Sequence, residues 1–386
     1  MKSKWNLSIP QFEGLASRQA HADLPAGTFE REVGRDGFFG AASHVYHSRP
    51  PTGWDSVDGP IRPRAFDALA LDHRARSPWE ASELFHNAHV RVRFWRTSEP
   101  MDHIVRNADG DELLFVHEGG GDVYCDYGHI TLEPGDYLLL PRGTMWRLDP
   151  LPNTDILLIE STGSAYSLPD RGPVGRFAPF DPGVLERPRL NEAFKSQPDT
   201  PTRVVVKRGN QFGQLKYQFN PLDALGWKGD LYPVRLNVRD IRPLMSHRVH
   251  LPPSVHTTFL SSRFIICTFV PKPPESDPGA MKLPFFHSND DCDEVIFYHR
   301  GRIGSRGNSI GQGALTLHPG GTIHGPHPET LPYMFEVSPN RAPGYAVMVD
   351  TFDALSVGAG AQACEVTDYH ESWRASIDFV SDKPNA

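Results

Sequence analysis

Cysteine is scarce: the 386 residues hold four, Cys125, Cys267, Cys292 and Cys364, widely spaced and with no CxxC pair. That pattern excludes zinc knuckles, thioredoxin-type chemistry and a disulfide framework, and predicts reduced packing residues. Positive charge is also in deficit. With 39 Lys and Arg against 47 Asp and Glu, a net charge of −8, no general basic field exists to draw a nucleic acid or an anionic membrane. Long apolar runs are missing. The most apolar internal stretch, Phe264 to Val270, is far short of the ~20 residues that span a bilayer, and Met1 to Pro10 lacks the apolar core of a secretory signal. A cytoplasmic protein is expected. Amphipathic helices are few, with Trp79 to Phe85 and Tyr369 to Phe379 the best candidates.

Turn residues and short strands are plentiful instead. The 34 Gly and 36 Pro exceed the average usage of roughly 7% and 5%, which points to many turns. Runs rich in Val, Ile, Leu, Phe and Tyr recur at His89 to Trp95, Leu113 to His117, Tyr137 to Leu140, Ile156 to Ile159, Phe264 to Val270, Glu294 to Tyr298 and Tyr345 to Val349. The predicted class is all-β with minor α. The length predicts two domains, divided as 1–230 and 231–386, with the proline-rich Leu148 to Thr202 as a long ordered crossing.

An internal repeat supports that division. Asp111-Glu-Leu-Leu-Phe-Val-His-Glu-Gly-Gly120 lies over Asp293-Glu-Val-Ile-Phe-Tyr-His-Arg-Gly-Arg302, with five of ten positions identical. Downstream, Gly135-x5-Pro141-x-Gly143-x2-Trp146 lies over Gly313-x5-Pro319-x-Gly321-x2-His324. The two matches keep their order and nearly the same offset.

The second copy resembles the paired motifs of the cupin superfamily, small β-barrels of the jelly-roll kind. The first motif stands as His287-Ser-Asn289, four residues, then Glu294; the second matches fully at Gly313 to His324. This implies two cupin-type halves. Asn289 replaces one customary histidine, which leaves His287, Glu294 and His324 as metal ligands. Two His and one carboxylate form the facial triad of non-haem Fe(II) oxygenases, although the same donors also suit Zn(II) or Mn(II). In the first copy, near 105–146, the register gives Val105, Asn107, Glu112 and Trp146. The first half is therefore expected to lack metal ligands, with Trp146 filling its cavity.

Further residues extend the likeness. Phe286-His-Ser-Asn, Asp293-Glu, Arg300-Gly301, Leu317-His318 and Ile323-His-Gly-Pro326 resemble the homogentisate 1,2-dioxygenase family in order and almost in spacing. Phe115-Val-His-Glu-Gly, Pro134 to Gly143 and Tyr46-His-Ser-Arg-Pro-Pro-Thr52 are similar to the family in the first half. The resemblance implies an Fe(II) enzyme that opens a small 2,5-dihydroxylated aromatic ring with O2, converting homogentisate to maleylacetoacetate in tyrosine breakdown, and a homo-oligomer, trimer or hexamer. It places the catalytic base at His250 and substrate contacts at Asn289 and His318. The family's substrate-contacting tyrosine falls at Ile303, which cannot donate a hydrogen bond. Arg302 or Arg306 would then hold the substrate carboxylate, or the substrate lacks the acetate arm. Open alternatives are another hydroquinone or gentisate-like substrate, a non-redox metal-dependent isomerase or lyase, and a non-enzymatic storage or sugar-binding bicupin.

Overall fold

A computed structural model describes residues 9–301, 310–337 and 344–376. The described chain is mostly β, arranged in sheets of three, seven, six and seven strands, with two short α-helices, Glu192–Lys195 and Ala359–Ala363, and several 3-10 turns. Every expected strand is present. The run at Leu113 to His117, for example, lies within strand Gly110–Glu118, and that at Glu294 to Tyr298 within Asp293–Gly301.

These two repeat-related strands read as continuous apolar runs because both faces are buried. Alternation sends Leu113 and Phe115 to one core and Leu114 and Val116 to another. On the second strand Val295 and Phe297 join the first of those cores, whereas Ile296 and Tyr298 enter a separate cluster with Ile265 and Met348. The shared core is thus the seam between two back-to-back seven-stranded sheets. Phe115 and Phe297, equivalent in the repeat, meet there edge to face at 6.3 Å.

The repeat is reproduced down to its turns. Gly135, Gly143, Gly313 and Gly321 have φ of 88°, 88°, 76° and 86°, a region L side chains rarely adopt. The Thr144 hydroxyl donates to the Pro141 carbonyl and the Thr322 hydroxyl to that of Pro319, each at 2.7 Å. Asp111 accepts from the Arg142 backbone N–H and Asp293 from that of Gly320, both at 2.8 Å. Each aspartate fastens the start of its strand to the following motif turn.

Strands are exchanged between the halves. Arg64–Asp67 pairs with Ala314–His318 in the second barrel, while Val234–Asn237 and Ser356–Val357 complete the sheet of the first. Phe29–Gly34 and Ala42–His47 form a hairpin whose first strand runs parallel to Phe286–Asn289.

The expected helix at Trp79 to Phe85 is not formed. A 3-10 turn, Pro78–Glu80, leads into strand Ser82–His86, which pairs with Val90–Thr97 through a bulge at Glu83/Phe85. The bulge lets the consecutive apolar residues Leu84 and Phe85 both reach the core, so tertiary burial overrides the helical spacing. The tail forms a 3-10 helix at Tyr369–Ser376, and the rest of that candidate lies outside the described residues. Residues 163–201 contain only 3-10 turns, isolated bridges and the helix Glu192–Lys195. The four cysteines are buried and free, and no described helix is long and apolar enough to cross a membrane.

Candidate metal centre

His287, Glu294 and His324 come together in the second barrel with their ligand atoms within 4.8 Å of one another. Strand pairing explains the convergence. His287 lies on Phe286–Asn289 and exchanges both backbone hydrogen bonds with His324, at 2.9 and 3.0 Å. Glu294 opens strand Asp293–Gly301 and is flanked across the sheet by His318 and Asp350. His324 Nε2 is 3.3 Å from Glu294 Oε1, and His287 Nε2 is 3.8 Å from Oε2.

The tautomers favour a metal. His287 Nδ1 is 3.0 Å from the Phe285 carbonyl, an acceptor only, so Nδ1 carries the proton and Nε2 a lone pair. That Nε2 is buried and has no hydrogen-bond partner in the protein. His324 is oriented alike, its Nδ1 facing the Thr322 carbonyl at 3.4 Å. His318 Nδ1 donates to Glu294 Oε1 at 2.7 Å, and its ring stacks on His324 at 4.3 Å. Burial alone would raise the Glu294 carboxyl, but the surrounding imidazoles of His324, His287 and His318 outweigh it and hold the carboxyl well below the usual range. The donor set therefore fits a divalent cation.

The centre opens on a cleft of about 240 Å³ that includes Phe38, Asn289, Pro319 and Asp350 in its walls. Asn289 is buried with neither amide atom hydrogen bonded, leaving donor and acceptor free for a ligand. Asp350 escaped sequence reasoning. Its carboxyl is buried without a partner, and burial together with the Glu294 charge pushes it well above the ordinary range. Its one sequence signal is an acid ending the apolar strand Gly344–Thr351.

His250 is elsewhere. It does not line the cleft, its Nδ1 lies 3.2 Å from Glu275 Oε1, and Phe285 contacts both its ring and that of His287. Arg302, Ile303 and Arg306 lie outside the described residues.

In the first barrel Glu112 accepts from Trp79 Nε1 and Trp146 Nε1, each at 3.0 Å. Two indole N–H groups thus occupy the carboxylate that would otherwise face a metal. The expectation that the first half lacks metal ligands is nevertheless corrected. A second His/Glu/His group, His21, Glu32 and His44, is built by residues ahead of the first motif copy. The repeat comparison could not detect it, because its hairpin docks on the second barrel.

The chain is similar to several known proteins. The homogentisate 1,2-dioxygenase N-terminal family matches residues 80–238. A Saccharolobus solfataricus protein named "Putative dioxygenase" is 30% identical over 364 residues, covering 90% of this chain and 93% of that protein. The homogentisate 1,2-dioxygenase of Sinorhizobium medicae is 27% identical over 239 residues, 59% of this chain and 52% of the enzyme, so that match spans about half the relative's length. Among solved structures, a cupin 2 conserved barrel domain protein from Leptotrichia buccalis is similar at 9% identity and a TM-score of 0.35, covering 75% of this chain and 96% of that one. Similarity along nearly the whole chain to that putative dioxygenase, with an N-terminal family match spanning the first barrel, means that the chain belongs to a dioxygenase family related to the homogentisate 1,2-dioxygenases.

Proposed function

We propose that the protein is a non-haem Fe(II) dioxygenase that cleaves the ring of homogentisate or a closely related small 2,5-dihydroxylated aromatic. The observation that carries this reading is the convergence of two inward-facing imidazole Nε2 atoms and one ionised carboxylate at His287, His324 and Glu294. Three protein donors leave other coordination positions for exogenous ligands. When bound there, iron supplies the redox centre at which O2 and a phenolic substrate can react.

The surrounding side chains have separable tasks in this reading. His318 holds Glu294 Oε1, which fixes the carboxylate and keeps its charge in place. Asn289 offers an amide N–H and carbonyl to a ring hydroxyl, and the Phe38 ring, edge-on to His287 at 5.2 Å, gives the cleft an apolar wall. Asp350, whose carboxyl burial and the Glu294 charge push well above the ordinary range, lines the cleft where it can hydrogen-bond a substrate oxygen. His250, placed behind Phe285 and beside Glu275, is assigned no proton transfer.

Anaerobic reconstitution with Fe(II), followed by oxygen-uptake assays on homogentisate, gentisate and substituted hydroquinones, tests the proposal. Stoichiometric uptake with a ring-opened product is expected, and Glu294→Gln abolishes both uptake and iron retention. No uptake with any of these compounds, or turnover that is complete without O2 and supported by Zn(II), overturns it in favour of a non-redox enzyme.

A further inference from the structure

The hairpin Phe29–Gly34 and Ala42–His47 brings a second set of metal-type donors together, apart from the centre just described. Glu32 pairs across the sheet with His44 on one side and His287 on the other. His21 closes the set from the preceding segment, at a φ of 62°, with its ring stacked on Phe285 at 3.8 Å and 10°. His21 Nε2 is 2.9 Å from Glu32 Oε2, and His44 Nε2 is 3.2 Å from the same oxygen. His21 and Glu32 are 3% and 5% exposed.

Hydrogen-bond chemistry decides what belongs between them. His21 Nδ1 is 2.8 Å from the His250 carbonyl oxygen, which can only accept, so the proton sits on Nδ1. In the neutral ring the Nε2 lone pair then points at a carboxylate oxygen, and that atom is buried without a hydrogen-bond partner. Two acceptors at 2.9 Å in a buried site need either a proton or a metal ion between them. A second carboxylate adds to the demand. Glu30 is fully buried, accepts from the Tyr46 hydroxyl at 2.6 Å and the His21 backbone N–H at 2.9 Å, and lies 3.8 Å from His21 Nε2. One divalent ion would balance two carboxylates while leaving both imidazoles neutral.

We infer that His21 Nε2, His44 Nε2 and the Glu32 carboxylate bind a second divalent transition-metal ion of the Zn(II) class. Two imidazoles and a carboxylate are donors such ions accept, and the partly exposed His44 edge leaves room for a water as fourth ligand. The ion is structural. It fastens residues 21–47 to Phe286–Asn289, the strand that supplies His287. The competing account is a cluster of protonated histidines around Glu32, which needs no metal.

The test uses the full chain with the barrel centre disabled by Glu294→Ala, and separately by His324→Ala, so that its outcome is independent of the dioxygenase reading. After stripping and incubation with Zn(II), each variant is expected to retain one ion per chain by elemental analysis, with two imidazoles in its X-ray absorption spectrum and a raised melting temperature. Adding His44→Gln is expected to weaken that binding by more than about 100-fold, beyond the 10–100-fold cost of losing an outer-shell partner, and to erase the Zn(II)-dependent melting shift. Failure of both folded background variants to bind Zn(II), or undiminished binding after His44→Gln, overturns the inference.

Discussion

Glu294 is surrounded by three histidines, of which His318 has the most specific task. Its Nδ1 proton is committed to Glu294 Oε1 at 2.7 Å, so it orients a ligand without belonging to the inward-facing triad. His318→Leu is therefore expected to weaken metal affinity by about 10–100-fold, the usual cost of losing an outer-shell partner, whereas His318→Asn, which can still donate, retains more of it. Chelator competition on the two variants measures the difference, and equal affinities would show that the hydrogen bond contributes nothing. The convergence of His287, Glu294 and His324 was legible from sequence because spacing along strands and the Gly and Pro turns set their register. Asp350 was not, since only the pairing of Asp293–Gly301 with Gly344–Thr351 brings it beside Glu294. Asparagine illustrates the limit of reading by equivalence. Asn107 accepts from the Asp109 and Gly110 backbone N–H groups in a turn, whereas Asn289, at the matching position, has no such partners.

Among the elements, the motif turns carry the clearest constraint. Gly313 and Gly321 share a positive φ but differ in surroundings: a Cβ on Gly313 would lie 2.4 Å from Leu69 Cγ, whereas one on Gly321 would meet nothing within 4 Å. Alanine at Gly321 is expected to cost about 1–2 kcal/mol for the left-handed backbone alone. At Gly313 the clash adds a further ~1–3 kcal/mol of overpacking. Urea unfolding of the two variants checks the ordering, and a Gly313→Ala no worse than Gly321→Ala would contradict it. The repeat made these turns readable at the sequence level. The hairpin carrying Glu32 and His44 was not readable, because its partner strand lies more than 200 residues away and no local periodicity announces a parallel pairing. Ser82–His86 failed for a related reason, its bulge having no signature in the spacing of Trp79, Leu84 and Phe85.

For the molecule as a whole, the seam between the sheets contains a buried histidine pair. His117 and His299, equivalent in the repeat, approach Nδ1 to Nδ1 at 3.1 Å. Burial lowers His117 to about 4, and burial with the nearby His117 lowers His299 to about 3. A histidine whose folded pKa is depressed binds fewer protons than in the unfolded chain, so the stability it contributes is complete above about pH 6.5 and is lost as the pH falls toward those values. Each ring should contribute a slope of ~1.4 kcal/mol per pH unit in that window. Denaturant titrations of metal-free protein from pH 7 to 4 should show this fall, and His117→Gln with His299→Gln should flatten it. An unchanged slope would place the acid sensitivity elsewhere.

The exchange of strands gives the molecule a property that its two-barrel outline conceals. Arg64–Asp67 supplies the edge partner of Ala314–His318, the strand that ends in the histidine holding Glu294, and Val234–Asn237 serves the first barrel in return. A fragment beginning after the first barrel would leave backbone donors and acceptors exposed beside the metal ligands. The second barrel is accordingly not a portable cassette. A chain split between the repeats would have to carry a strand from the opposite half, so the two copies depend on each other structurally.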